Sequence, residues 1–135
     1  MKAWGLLAAA IIVVASVPVT MDAEPQLQRY SGSADYQTYC SSCHGAEARG
    51  DGVIAKSLKK RPADLTQLTK GNNGAFPEEK VFKTIDGRQP GSAHSDSNMP
   101  AWGDVFAKSS ESAGAENAAA RIDVLVKYIQ TLQAK

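Results

Sequence analysis

Cysteine and histidine are nearly missing from this chain: two of each occur in 135 residues. Two thiols cannot build the disulfide framework that holds small exported proteins together. A structural zinc site requires four ligands, and Cys40, Cys43, His44 and His94 are the only N/S candidates. Adjacent Cys43 and His44 would have to share one small tetrahedron, an awkward geometry. A redox Cys-x-x-Cys would need a βαβ context, and no strand pattern is convincing anywhere. There is no internal repeat. The net charge of +1 offers no footing for nucleic acid. Aromatic residues make up 7% of the chain, and beyond the N-terminus large aliphatics are sparse while Gly, Ser and Ala are common. A domain this lean buries little apolar surface by its own side chains.

The one long apolar run is at the start. Lys2 is followed by an uncharged stretch over residues 3–21, with Pro18 near its end and Ala23 before Glu24-Pro25. A basic start, an apolar centre and small or turn-forming residues describe a secretory signal peptide over residues 1–23. Met21 stands where a small residue is preferred, so an uncleaved anchor is the alternative, at the lower edge of the ~17–25 residues that a spanning helix needs. Either way residues 24–135 are expected to form a single exported domain, in the periplasm, with no membrane span once the leader is cleaved.

What is present decides the chemistry. Residues 40–44 read Cys-Ser-Ser-Cys-His, the attachment signature of c-type haem. Two thiols at this spacing reach the two vinyl groups of a rigid ring and form thioethers. The imidazole that follows is then placed to bind the iron. One haem, covalent through Cys40 and Cys43 with His44 on the metal, is the expected cofactor. A haem at the centre would also supply the missing core, so the haem-free chain is expected to fold poorly.

Three helical segments are expected. The first spans residues 31–42, with Ser31 or Ser33 as N-cap and Asp35 in the first turn. It presents Cys40 and Cys43, and Gly45 turns the backbone away. The second spans residues 76–85, with Pro77 in its first turn, Glu78 and Glu79 at its positive end, and Val81, Phe82 and Ile85 on one face. The third carries the stripe Ile122, Leu125, Val126, Ile129 and Leu132, with Tyr128 at its edge. Residues 45–52, 71–74 and 87–97 read as loops. Loops of that length are uncommon in a compact domain, but loops that wrap a large flat cofactor gain contacts that surface loops lack.

With these residues in order, the chain after Pro25 resembles the class I monohaem cytochromes c. Gly32 stands eight residues and Tyr36 four residues before Cys40, Leu125 and Tyr128 have the Leu-x-x-Tyr spacing of the family's last helix, and Asn98-Met99-Pro100 resembles its ligand loop. The resemblance implies the all-α cytochrome c fold, three main helices and long loops around one haem. In it the first and last helices cross closely, Gly32 permitting the approach while Tyr36 packs on Leu125 and Tyr128. It further implies Met99 as the iron ligand opposite His44. The other methionines, Met1 and Met21, belong to the leader. His94 is the rival, and two imidazoles would lower the potential relative to His/Met. His94 near the haem edge would instead make the potential depend on pH. The resemblance also assigns the carbonyl of Pro62 to the free ring N–H of His44, an interaction that orients a metal-bound histidine and raises its basicity. Arg61, Arg88 and Trp102 are candidate donors to the propionates, Trp102 also a cover for a haem edge, and Pro100 stiffens the ligand loop.

With both axial positions filled, the implied function is one-electron transfer and not catalysis. The expected partners are redox proteins, a donor dehydrogenase or reductase and an acceptor oxidase or other cytochrome. Lys56, Lys59, Lys60, Arg61 and Lys70 form the one basic cluster, read either as a docking patch for an acidic partner or as a solvated loop. An electron-accepting subunit of an exported dehydrogenase complex is the alternative function. A ligand-binding or catalytic haem, opened by loss of Met99, ranks behind it.

Overall fold

The computed structural model describes residues 30–88, 99–109 and 114–134, and these contain helix, turn and loop with no strand. The all-α expectation holds. The leader and His94 lie outside the described residues, and within them no helix is long and apolar enough to cross a membrane.

The first helical run covers residues 32–44 in three pieces: α1 (Gly32–Asp35), a π-helical turn (Tyr36–Cys40) and α2 (Ser41–His44). Ser31 caps it, its Oγ accepting from Ala34 N–H at 3.3 Å. The π turn leaves the Ser41 N–H bonded to the Tyr36 carbonyl, five residues back. Hydroxyls also bond carbonyls four residues back along this stretch: Thr38 Oγ1 donates to Ala34 O at 2.8 Å and Ser41 Oγ to Gln37 O at 2.6 Å. Such widened turns occur often at functional sites, and here one leads directly into the cysteines. The run stops at Gly45, whose φ of 87° an L side chain rarely adopts.

Helix α3 (Glu78–Asp86) begins two residues later than expected, because Pro77 is its N-cap and not part of its first turn. Glu79 and Lys83 pair one turn apart at 2.6 Å, and Gly87 closes the helix at a φ of 65°. Val81 and Ile85 are buried, with Phe82 packed beside them. A fourth helix, α4 (Trp102–Lys108), was not expected. It is only seven residues long and contains Gly103, too short for a periodic stripe to declare itself, although Trp102 and Phe106 do stand one turn apart.

Helix α5 (Gly114–Thr131) is the platform against which α1, α3 and α4 pack. Its stripe, Ala118, Ile122, Leu125, Val126 and Ile129, is buried in one cluster with Tyr36, Cys40, Ala48, Val81, Ile85 and Phe106. The α1–α5 crossing requires glycine: a Cβ on Gly32 would stand 2.5 Å from Val124 O and 2.7 Å from Tyr128 Cβ. Tyr36 and Tyr128 meet with ring centroids 5.6 Å apart. Gly32→Ala is therefore expected to push the helices apart and cost about 1–3 kcal/mol, as overpacking does, read as a lowered denaturant midpoint.

Candidate haem site

The helical run delivers three groups within five residues. Cys40 is 6% exposed and His44 8% exposed, while Cys43 is half-buried, and both thiols are free. The loop after them folds back along the helix end and takes up its carbonyls. Gly50 N–H donates to His44 O at 2.8 Å, Gly52 N–H to Cys43 O at 3.0 Å and Ile54 N–H to Ser42 O at 3.1 Å. Tyr36, fully buried, donates its hydroxyl to Gly45 O at 2.6 Å. The orphan acceptors at this helix end are thus met by the loop, which holds the pentapeptide in a fixed shape.

His44 is oriented from its back. Its Nδ1 lies 2.9 Å from the carbonyl of Ala63, so Nδ1–H donates there and Nε2 is the nitrogen left for a metal. Burial lowers its pKa, against a smaller opposing effect of the Ala63 bond. The ring is therefore neutral at pH 7, the form that ligates. Cys40 is pushed up to about 12, mainly by burial and further by the carboxylate of Asp35 and by Cys43. It remains a thiol, the species that adds S–H across a carbon–carbon double bond. Two free thiols of fixed spacing and a neutral, pre-oriented imidazole fit the demands of c-type haem. Among the described residues, no three His, Cys, Asp or Glu side chains group as a metal site.

One assignment is corrected. The carbonyl that orients His44 is that of Ala63, not Pro62. The Pro62 carbonyl faces Gly50, where a Cβ would collide with it, and Gly50 has a φ of 72°. The absent side chain at Gly50 lets Pro62 press against the loop, and the next carbonyl then reaches the imidazole.

Met99 is half-buried and packs against the core cluster just before α4, as does Trp102 at its start. Trp102 lies 5.2 Å from the ring of Tyr39, the neighbour of Cys40, and stacks on Phe106 at 5.9 Å. Arg88 is held by the buried carboxylate of Asp86 at 2.6 Å, and Arg61 Nε donates to Gly50 O at 3.4 Å. Neither bond was expected.

Sequence reading also missed Arg121. It forms a two-pronged pair with Asp35, Nε to Oδ2 at 2.7 Å and Nη2 to Oδ1 at 2.6 Å, with side chains only 14% and 11% exposed. The guanidinium lies 4.3 Å from the Phe106 ring centroid and reaches the Tyr39 hydroxyl at 3.4 Å. Hydrogen bonding to Asp35 raises its pKa further. This pair clamps α5 to α1 beside the π turn. No local signal announces it, since 86 residues separate the partners.

An all-helical fold that buries a Cys-x-x-Cys-His segment, its histidine oriented by a backbone carbonyl, defines a c-type cytochrome. The family model described as Cytochrome C oxidase, cbb3-type, subunit III matches residues 28–115, well over half of the chain, and the chain belongs to that family. A haem c electron-transfer function and redox partner proteins follow from the membership. No curated protein and no solved structure matches the chain.

Proposed function

We propose that this protein is a one-electron carrier with a single haem c, attached through Cys40 and Cys43 and ligated by His44 and Met99, that shuttles electrons between exported redox proteins. The observation that carries the reading is the buried, neutral His44, its Nδ1 committed to Ala63 and its Nε2 available. When bound, the haem supplies a reversible Fe(III)/Fe(II) couple. The chain's own part is to hold the imidazole, to keep water from it, and to offer Met99 from the α4 side. Two cysteines in the whole sequence support one haem and no more. The leader at residues 1–23 supports export to the periplasm, where c-type haem is assembled.

The absorption spectrum, oxidised and reduced, with and without carbon monoxide, tests this reading. The expected result is a low-spin c-type spectrum with a sulfur-to-iron charge-transfer band that carbon monoxide leaves unchanged. Ready carbon monoxide binding and no such band would remove Met99 as a firm ligand and favour sensing or catalysis.

Partner docking is proposed at the segment that carries the basic cluster, residues 56–70. Lys56, Lys59, Lys60, Arg61 and Lys70 are exposed, and among the described residues none of them is in an ion pair. Val53, 91% exposed, and Ile54, 43% exposed, are apolar residues shortly before Lys56 in sequence, and Ile54 is tied to Ser42 through its N–H. An acidic partner surface with an apolar centre suits this arrangement. Its electron-transfer rate is expected to fall as ionic strength rises, and a rate indifferent to salt would count against the patch. The family's description, an oxidase subunit, favours a second reading, a haem subunit of a larger complex, beside the dehydrogenase-complex subunit that the sequence leaves as an alternative. Copurification with a catalytic chain would establish it.

A further inference from the structure

The carbonyl that orients His44 belongs to a residue whose side chain is not held by packing. Ala63 is exposed, as are Lys59, Lys60 and Arg61 before it. Its side chain anchors nothing, so the position of its carbonyl is set by the close approach of the 62–63 backbone to Gly50 and by hydrogen bonds of the backbone that follows. Upstream, Pro62 rests on Gly50. Downstream, the Leu65 N–H donates to Ala48 O at 2.8 Å, and Asp64 Oδ1 accepts from Thr66 N–H at 2.9 Å.

A further restraint comes from residues past α5. Gln133, just past α5, donates Nε2–H to Leu65 O at 2.7 Å and to Ile129 O at 3.0 Å, while its Oε1 accepts from Thr69 N–H at 2.9 Å. Ala134 N–H adds a bond to Thr66 O at 2.9 Å. A single half-buried amide thus spans from the last turn of α5 to two backbone groups of the turn that follows Ala63. Its partners there lie 68 and 64 residues away in sequence. Leu65 is held on both its polar backbone atoms, N–H by Ala48 and C=O by Gln133, and it stands two residues from the carbonyl on His44.

From this geometry we infer that Gln133 is a positioning residue for the axial histidine: it locks the 63–69 segment so that the Ala63 carbonyl stays on His44 Nδ1. The inference rests on His44 serving as a haem ligand. A firm Nδ1–H···O bond makes the imidazole a stronger donor and favours the oxidised metal. Loosening the lock weakens that bond and raises the reduction potential.

The test uses holoprotein carrying Gln133→Leu, which keeps the bulk and removes every side-chain bond without changing charge. Gln133→Asn keeps the amide on a shorter stem, and Gln130→Ala, at an exposed position on α5, is the control. In Gln133→Leu the oxidised-to-reduced ratio at a fixed applied potential is expected to fall about threefold, a rise of about 30 mV at 59 mV per tenfold. The exchange of the His44 Nδ1 proton, followed by NMR, is expected to accelerate by about tenfold, on the scale by which losing an outer partner of a ligand weakens metal affinity. Gln133→Asn should fall between Gln133→Leu and wild type, and it carries the test if Gln133→Leu yields no holoprotein. Gln130→Ala should match wild type. Lowered thermal stability with potential and proton exchange unchanged would overturn the inference and leave Gln133 as an anchor for the helix end. Wild-type protein without covalent haem would overturn the functional reading and this inference together, whereas loaded wild type with unresponsive variants would overturn this inference alone.

Discussion

Serine at both Cys40 and Cys43 is expected to leave the protein with no haem that survives extraction by acidified organic solvent. A thioether needs sulfur, and the chain has no third cysteine to substitute. The hydroxyl of serine is isosteric with the thiol but does not add to a vinyl group under the same conditions. The axial ligands His44 and Met99 would then be the only bonds between the described residues and the cofactor. The single variants should differ from each other. Cys40 is 6% exposed and belongs to the core cluster, while Cys43 is half-buried. A hydroxyl at position 40 would be buried with a new need for a hydrogen-bond partner, at a cost of about 1–3 kcal/mol. Cys40→Ser should therefore lower stability as well as remove one thioether, and Cys43→Ser should do mainly the latter. Haem that stays with the doubly substituted chain through acid extraction would refute covalent attachment at these positions.

Arg121→Leu has the next largest expected effect. It removes a guanidinium that binds Asp35 through two short bonds and leaves that carboxylate in a site where it is 11% exposed. Breaking one partner of such a pair costs roughly 3–5 kcal/mol, which for a domain of this size lowers the melting temperature by on the order of 10–20 °C. Salt should change this little, because a buried pair is poorly screened. Adding Asp35→Asn to Arg121→Leu should recover much of the loss, since the penalty lies in the stranded charge. Recovery will be incomplete, because the guanidinium also sits 4.3 Å from the Phe106 ring centroid and bonds the Tyr39 hydroxyl. A melting temperature that moves by only a degree or two in Arg121→Leu would show that α1 and α5 are held by Gly32, Tyr36 and the apolar stripe alone.

Much of the fold was legible because its signals are local. Ser31 caps α1 as its position suggests, Gly45 and Gly87 end their helices with positive φ, and the stripe from Ile122 to Ile129 is the buried face of α5. The approach at Gly32 and the Tyr36–Tyr128 contact were readable from spacing matched to a family. Helix α4 escaped notice because seven residues give too few repeats for a period to stand out. The π turn escaped because the residues Tyr36–Cys40 carry no composition distinct from that of an ordinary α-helix.

The site divides along the same line. Residues 40–44 carry the motif in full, since the spacing of two thiols and an imidazole along one helix end is a property of the local chain. The carbonyl on His44 is 19 residues away, the partner of Asp35 is 86, and the amide that locks the 63–69 segment is 64 and 68 residues from its targets. Hydrophobic period tells which side of a helix is buried. It does not tell which atom of a distant segment that side will meet, because hydrogen bonds depend on angle and on fractions of an ångström set by packing. The sequence alone determined the Cys-x-x-Cys-His signature, the helical class and the long helix against which the others pack. Tertiary structure alone decided that Ala63 and not Pro62 orients the histidine, that Arg121 clamps the first helix to the last, and that the chain's end reaches back to the segment behind the ligand.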